Sequence, residues 1–252
     1  MIRVEHLRKA FGPVTAVDGV TFDAQDGAIT GLLGPNGAGK TTTLRMLYAV
    51  MKPDTGEIHV DDVDAVRAPQ EAQARLGVLP DGFGLYPRLT AREHIHYFGE
   101  LQGITGARLR GRTDALLELL DMAAIADRRT AGFSHGERTK VALARALVHE
   151  PRNVLLDEPT NGLDVMSTRA VRGIVRRLRD AGHCVLFSSH VMQEVSALCD
   201  AIVVIAAGRV VARGTPDQLR KQTGHESLED AFVALTGLEA APSRSPLPPA
   251  FE

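Results

Sequence analysis

One short stretch decides the fold of this chain: Gly34-Pro35-Asn36-Gly37-Ala38-Gly39-Lys40-Thr41-Thr42. It follows the apolar run ITGLL at 29–33 and opens a helical pattern at 40–50. The glycines let the backbone wrap closely and aim N–H groups inward, and the helix N-terminus adds its positive dipole end. Lys40 supplies a cation for the β and γ phosphates of a nucleotide, and the Thr41 hydroxyl can ligate Mg²⁺. The alternative, a glycine-rich turn before a helix, does not explain why strand, loop and helix occur in this order.

The pattern on either side of this loop predicts an α/β fold. Residues 1–80 read as strands and turns with one helix, with strands at 2–7, 14–27 and 57–60. From about 90 to 150 the pattern is helical, and it opens on a capping box at Thr90 and Glu93. From 153 onward apolar strands alternate with helical segments, which predicts a mainly parallel sheet covered on both faces. The helical block is an inserted lobe, and the Pro-, Ala- and Ser-rich tail after 237 is predicted to be disordered.

Two acids end the strand Asn-Val-Leu-Leu-Asp-Glu-Pro at 153–159. Ligands of open α/β sheets sit at the carboxyl ends of the strands. Asp157 is therefore predicted to hold the Mg²⁺ shell, and Glu158, one residue further, to orient or deprotonate an attacking water. Read alone, the pair is equally well two solvated acids at a strand end; the phosphate loop favours the functional interpretation.

His190 closes another apolar strand, Cys-Val-Leu-Phe-Ser-Ser at 184–189. If this strand is parallel to the acidic one, His190 reaches the same sheet edge and can contact the γ-phosphate. Without that context, a surface or helix-capping histidine is the simpler interpretation.

The segment Phe133-Ser134-His135-Gly136-Glu137 precedes the helical pattern at 137–148. Ser134 and Glu137 make a valid capping box, which leaves Gly136 in the first turn unexplained. A serine hydroxyl, free N–H groups and a helix dipole are also what a γ-phosphate requires. Since this helix lies shortly before the acidic strand, it does not easily reach the nucleotide on its own loop, and a second copy of the chain is predicted to present it.

Net charge, cysteine content and hydropathy restrict the classes of protein to which the chain can belong. Lys and Arg total 29 against 31 Asp and Glu, a net charge of -2, which gives no support for nucleic-acid binding. Cys184 and Cys199 lie in apolar surroundings and are predicted to be buried free thiols. No signal peptide and no membrane-spanning run is visible, so membrane contact is predicted to pass through a partner only.

Taken together, these motifs resemble the ATP-binding subunits of ABC transporters. The order of phosphate loop, helical lobe, signature, acidic strand, Asn161-Gly162-Leu163-Asp164 and strand-end His190 carries the resemblance, which covers residues 1 to about 220. It implies the P-loop ABC ATPase fold: one domain over 1–237, an antiparallel N-terminal part, and a helical subdomain inserted at about 82–150. The signature is usually LSGGQ in that family. Here Phe133, His135 and Glu137 differ from the motif, whereas Ser134 and Gly136 match it.

The resemblance assigns three more positions. Phe11 matches the aromatic that stacks on adenine, although a small core aromatic is an alternative for it. Asp164 matches the residue of a loop that crosses the dimer. Asp81 stands where the family has a glutamine that touches Mg²⁺ and senses the membrane partner. As a carboxylate, Asp81 can ligate Mg²⁺ but cannot donate a hydrogen bond at neutral pH; a simple turn role is equally compatible with it.

The implied function is ATP binding and hydrolysis that drives transport through a separate transmembrane permease subunit. Two copies of the chain would sandwich two ATP molecules, with Mg²⁺, on the cytoplasmic face of the membrane. The strand-end segment at 184–195 and the variants at Asp81 and 133–137 resemble the sodium-export branch, which implies export with Na⁺ as the candidate substrate. Two alternatives stay open: a soluble ABC ATPase without a transport role, and a nucleotide-binding regulatory subunit.

Overall fold

The computed structural model describes residues 1–82 and 84–237; the tail predicted to be disordered, 238–252, lies outside the described residues. In chain order, the strands are β1 (Ile2–Phe11), β2 (Val14–Ala24), β3 (Ile29–Leu33), β4 (Thr55–Val60), β5 (Val63–Asp64), β6 (Leu76–Leu79), β7 (Asn153–Asp157), β8 (Cys184–Ser189), β9 (Ala201–Ala206) and β10 (Arg209–Gly214). The helices are α1 (Lys40–Leu47), α2 (Pro69–Ala74), α3 (Ala91–Leu101), α4 (Gly106–Leu119), α5 (His135–Leu147), α6 (Val165–Asp180), α7 (Met192–Leu198), α8 (Pro216–Thr223) and α9 (Leu228–Thr236).

The N-terminal part is an antiparallel sheet in the order β2-β1-β4-β5. Its strands alternate buried and exposed side chains, as expected for a sheet with one face on a core and one in water. A buried cluster that includes Val4, Phe22 and Ile58 joins this sheet to α1 and to one face of the second sheet.

The second sheet has the order β10-β9-β3-β8-β7-β6. Strands β9, β3, β8, β7 and β6 are parallel to their neighbours, and only β10 returns antiparallel to β9. The mainly parallel core predicted from the alternating pattern is therefore confirmed. The central strands β3, β7 and β8 are buried along their whole length, which explains why they read as unbroken apolar runs.

Successive residues of the central strands serve two different cores. Leu155 and Leu186 point into the cluster shared with the antiparallel sheet, whereas Leu156 and Phe187 point into a larger cluster shared with the helices. Because strand side chains alternate between faces, each central strand connects both halves of the molecule. The central strands are consequently packed on both faces.

Helices α3, α4 and α5 form the predicted helical insertion between β6 and β7. The Thr90 capping box is present, with its hydroxyl accepting from the Glu93 N–H at 3.1 Å. The predicted helix at 40–50 is shorter than expected, since α1 ends at Leu47 and Val50 is exposed. Cys184 and Cys199 are buried free thiols, as predicted, and burial raises the pKa of the Cys184 thiol to about 12.

None of the helices formed by the described residues is both long and apolar enough to cross a lipid bilayer.

Candidate functional site

The sheet topology brings the predicted phosphate loop and the strand-end acids to one cavity. In register, Leu33 of β3 lies beside Ser189 of β8, and Asp157 of β7 lies beside Ser188. The strand ends thus form a single edge of the sheet, and the phosphate loop lies next to it. The cavity there measures about 380 Å³ and is lined by Ala16, Asn36, Gly37, Ala38, Gly39, Lys40, Thr41, Thr42, Asp81, Glu158, Asn161 and His190.

Two glycines of the loop are required by the backbone around them. A Cβ on Gly34 would lie 2.3 Å from the carbonyl oxygen of Ile205, so no larger residue fits there. Gly39 has φ +102°, in the left-handed region, and its Cβ would lie 2.4 Å from the Ala16 carbonyl oxygen. Gly39 is the N-cap of α1 and carries no side-chain cap, so the first N–H groups of that helix face the cavity without a protein side chain on them. This is the arrangement that binds an anion.

Lys40 is held in place before any ligand arrives. Its ammonium donates to the carbonyl oxygens of Gly34 at 2.7 Å and Pro35 at 3.2 Å, and it lies 3.5 Å from Glu158 Oε1. The side chain is 6% exposed, so a buried cation is poised at the mouth of the loop. An incoming phosphate would meet this charge with little loss of side-chain freedom.

Asp157 is the buried acid of the site. Its Oδ1 accepts a hydrogen bond from the Ser188 hydroxyl at 2.6 Å and from the Thr41 hydroxyl at 3.4 Å. Burial raises the pKa of Asp157, and the charges of Asp81 and Glu158 add to that rise, while the two hydroxyls oppose it. A carboxylate that is destabilised in this way is stabilised again by a nearby cation.

Glu158 is turned into the cavity by an unusual backbone. It has φ +49°, a sparsely populated conformation for a non-glycine residue and one that clusters at functional sites. Its N–H donates to Ser188 Oγ at 2.9 Å, and its Oε2 accepts from His190 Nδ1 at 2.9 Å. Because a carboxylate only accepts, His190 Nδ1 carries the proton in this pair. Glu158 therefore lies between the Lys40 ammonium group and the His190 ring.

Asp81 lies on the wall of the cavity, next to the phosphate loop. Its charge, like that of Glu158, raises the pKa of Asp157. The short strand β6 that precedes it was not predicted, since its four residues give too little pattern.

Ser134, Gly136 and Asp164 do not line the cavity. Ser134 caps α5: its hydroxyl accepts from the Glu137 N–H at 3.2 Å, and its own N–H donates to Glu137 Oε2 at 2.8 Å. Asp164 caps α6 by accepting from the Ser167 N–H at 2.8 Å. Gly136 packs against α6, where a Cβ would lie 2.5 Å from Ser167 Oγ. These residues form a separate, exposed face at the N-termini of α5 and α6.

Phe11 is 47% exposed at the end of β1, which excludes the core-aromatic alternative. Its ring lies 5.8 Å from Lys9 Nζ and outside the walls of the cavity. An exposed ring of this kind can accept a planar group on its face.

Sequence reasoning missed three positions of the site: Ala16, Asn161 and Ser188. Ala16 carries no recognisable signal. Asn161 lies three residues after Glu158 and is brought back by a turn in which its N–H donates to the Glu158 carbonyl at 3.0 Å. Ser188 is directly opposite Asp157 on the neighbouring strand, a position that only the strand order reveals.

Comparison with known proteins agrees with this geometry. A family model described as ABC transporter matches residues 17–161. The ATP-binding protein NatA of Bacillus subtilis is 43% identical over 222 residues, which cover 88% of this chain and 90% of the relative. The Nod factor export ATP-binding protein I of Paraburkholderia xenovorans is 39% identical over 218 residues, which cover 86% of this chain and 72% of the relative.

Solved structures agree as well. The ATP-binding subunit of an ABC transporter superposes with a TM-score of 0.85 at 29% identity, covering 93% of this chain and 99% of the other. A dimeric ATP-binding cassette with ADP and phosphate bound has a TM-score of 0.77 and covers 85% of this chain and 98% of the other; at 23% identity it shows the shared fold alone. The P-loop ABC ATPase fold predicted from the motifs is confirmed, and the chain belongs to the ABC transporter family, as an ATP-binding subunit that hydrolyses ATP to drive transport.

Proposed function

We propose that this subunit powers export through a separate transmembrane permease on the cytoplasmic face of the membrane, working as a homodimer. The observation that carries the proposal is the convergence of Lys40, Glu158 and His190 on one cavity whose floor is the glycine loop. Contact with the membrane passes through the permease only. Na⁺ is the first substrate to test, because the segment at 184–195 and the variants at Asp81 and 133–137 resemble the sodium-export branch. The Nod factor export protein among the similar chains keeps larger molecules open as substrates.

ATP would bind with its phosphates against the loop from Gly34 to Thr42. The uncapped N–H groups at the start of α1 would bind phosphate oxygens, and Lys40 would exchange its contact with Glu158 for the β and γ phosphates. The exposed ring of Phe11 would stack on the adenine. In this arrangement, the loop supplies most of the affinity and Phe11 orients the base.

The residues around Asp157 fit a magnesium ion. Thr41 and Asp157 offer a hydroxyl and a carboxylate oxygen within 3.4 Å of each other, and oxygen donors are the ligands that Mg²⁺ takes. Within residues 1–82 and 84–237, no cluster of three His, Cys, Asp or Glu side chains could hold a metal ion by itself. Protein oxygens and nucleotide phosphates would therefore hold the ion jointly, with Asp81 as a further ligand. When bound, Mg²⁺ neutralises charge on the β and γ phosphates.

Hydrolysis would depend on Glu158. Water forms a bond to the γ phosphorus, the bond from that phosphorus to the bridging oxygen breaks, and Glu158 orients the water and takes up its proton. His190 holds the Glu158 carboxylate through its Nδ1–H. A ring protonated on both nitrogens would also donate from Nε2 to the γ-phosphate. The strained Glu158 backbone and the Ser188 contact fix the carboxylate in place.

The face formed by Ser134, Gly136 and Asp164 would complete the site of a second copy. Ser134 uses its oxygen as an acceptor inside the capping box, which leaves its O–H to donate to a phosphate. Because these residues lie outside the cavity of their own chain, they reach a nucleotide only across a dimer interface. Beside them, Val165 and Met166 are 82% and 72% exposed, which gives this interface an apolar part.

The test of the catalytic role is Glu158→Gln, with Glu118→Gln as the matched control. Glu118 is an exposed acid on α4, outside the cavity lining. We expect Glu158→Gln to bind fluorescent ATP at least as tightly as the wild type, to form an ATP-dependent dimer in gel filtration, and to lose turnover about 10²- to 10⁴-fold. Glu118→Gln should behave as the wild type. Near-normal turnover in Glu158→Gln would remove Glu158 from the mechanism.

The test of the transport role uses the partner. We expect the subunit to co-purify with a polytopic membrane protein, and vesicles that contain both to move Na⁺ in an ATP-dependent manner. Flux that persists without ATP, or with Glu158→Gln in both copies, would refute the coupling. A complex that hydrolyses ATP but moves a different molecule would correct the substrate only.

A further inference from the structure

His135 stands between the two residues of the family signature that this chain keeps, Ser134 and Gly136. Its ring Nε2 lies 3.1 Å from the carbonyl oxygen of Asn161. A carbonyl oxygen only accepts, so Nε2 is the protonated nitrogen and donates this bond. The ring also lies beside Gly162, whose added Cβ would be 3.8 Å from Nε2.

The acceptor belongs to the catalytic side of the same chain. Asn161 lines the nucleotide cavity, and its N–H donates to the carbonyl of Glu158 at 3.0 Å. The peptide that His135 holds is therefore part of the turn that begins at Glu158. This turn contains two left-handed residues, Glu158 at φ +49° and Gly162 at φ +72°. The turn has two backbone hydrogen bonds of its own, from Asn161 to Glu158 and from Leu163 to Thr160, and the His135 side chain adds a bond from a different element.

We propose that His135 is a positioning residue that couples the two nucleotide sites of the dimer. The inference rests on the proposed function, in which Ser134 and Gly136 serve the nucleotide of the second copy while Glu158 serves the chain's own. The bond from His135 to Asn161 then links Ser134 and Gly136, which would serve the nucleotide of the second copy, to the Glu158 turn, which would serve the nucleotide of its own chain. When one nucleotide pulls Ser134 and Gly136, the Glu158 turn of the same chain moves with them.

A second contact between the same two segments supports this coupling. Gly136 packs directly on Ser167, close to the Asp164 cap of α6. The first turn of α5 thus contacts the segment after Glu158 at two places: His135 bonds to Asn161 in the loop, and Gly136 packs on Ser167 in the first turn of α6. A displacement of Ser134 relative to Glu158 would have to break one of these contacts.

The experiment compares His135→Gln with His135→Asn. The amide nitrogen of glutamine is separated from Cβ by the same number of bonds as Nε2 of histidine and can donate to Asn161, whereas asparagine is one bond shorter. His135 is exposed, so both variants should fold, and the loss of one hydrogen bond should lower the thermal stability of His135→Asn only slightly. ATP turnover is measured against ATP concentration for each protein, together with the Kd of fluorescent ATP.

We expect wild-type turnover to rise cooperatively with ATP and His135→Gln to retain both rate and cooperativity. His135→Asn should lose about 2- to 10-fold in kcat, the worth of one net hydrogen bond, with its Hill coefficient falling towards 1 and its ATP Kd unchanged. A local effect on helix α5 would shift thermal stability but not cooperativity.

Three outcomes overturn the proposal: non-cooperative turnover by the wild type, His135→Asn equal to the wild type, or His135→Gln as impaired as His135→Asn. Failure of the proposed function is seen separately, as a wild-type chain that binds no ATP or as turnover that survives Glu158→Gln.

Discussion

Gly136→Ala tests the packing that places the Ser134 face. An alanine Cβ at this position would lie 2.5 Å from Ser167 Oγ and 3.0 Å from Ser167 Cβ. To reach an ordinary contact of 3.4 Å, the hydroxyl must move by about 0.9 Å, the difference of the two distances. Rotation of the hydroxyl alone does not suffice, since the Ser167 Cβ stays too close and the rotation gives up the bond from Ser167 Oγ to Asp164 at 2.9 Å.

The cost follows from two opposing effects. Overpacking of a tight contact lowers the free energy of unfolding by about 1–3 kcal/mol, whereas replacement of a helical glycine by alanine raises it by up to about 1 kcal/mol. We expect a net loss of about 1–2 kcal/mol in the free energy of unfolding. For a domain of this size that lowers the Tm by about 2–8 °C. Urea unfolding and thermal melting of the nucleotide-free protein measure it.

Two variants make the test sharp. Gly173→Ala is the matched control, because its added Cβ meets nothing within 4 Å on α6 and should stabilise the protein by about 0.5–1 kcal/mol. Ser167→Gly removes both obstructing atoms, so the double variant Gly136→Ala, Ser167→Gly should be more stable than the sum of the single effects by about 1–2 kcal/mol. ATP turnover should fall in Gly136→Ala and recover in part in the double variant. The reasoning is refuted if Gly136→Ala is as stable as the wild type, or if the two changes add.

The remaining predictions concern the cavity. Asp157→Asn should abolish Mg²⁺-dependent ATP turnover yet raise the thermal stability of the ligand-free protein at neutral pH, because the raised pKa of Asp157 means that ionisation of this carboxyl opposes folding. The gain should shrink as the pH falls through the raised pKa and vanish below the ordinary value of 3.8; a gain that persists in stronger acid would contradict this. Phe11→Ala should weaken ATP binding about 2- to 10-fold in a fluorescence titration without changing stability, and Phe11→Tyr should bind as the wild type; equal Kd values for all three would exclude stacking. Ser188→Ala leaves the partly buried Glu158 N–H without its acceptor and should cost about 1–3 kcal/mol in urea unfolding, whereas Ser227→Ala, at an exposed cap, should cost about 1 kcal/mol.

Regular elements were predictable where the pattern was long and one-sided. The central strands β3, β7 and β8 are unbroken apolar runs, and α6 places Val171, Ile174, Val175 and Leu178 on one buried stripe. The elements that were missed are short or mostly exposed: α2 has six residues, β6 has four, and β10 is an edge strand with one buried side chain. Helices α8 and α9 were also missed; α8 buries only Leu219, which is too little for a periodic signal.

The sequence alone determined the chemistry of the phosphate loop, because its glycines, Lys40 and Thr41 act within one continuous segment whose geometry is local. It likewise determined that acids and a histidine end buried strands. Tertiary structure decided which of these ends meet: the order β3-β8-β7 places Ser188 against Asp157 and His190 against Glu158. It also decided that Ser134 and Gly136 lie outside the lining of their own cavity and that His135 holds Asn161. Strand order and helix packing arise from long-range burial, which no local spacing encodes.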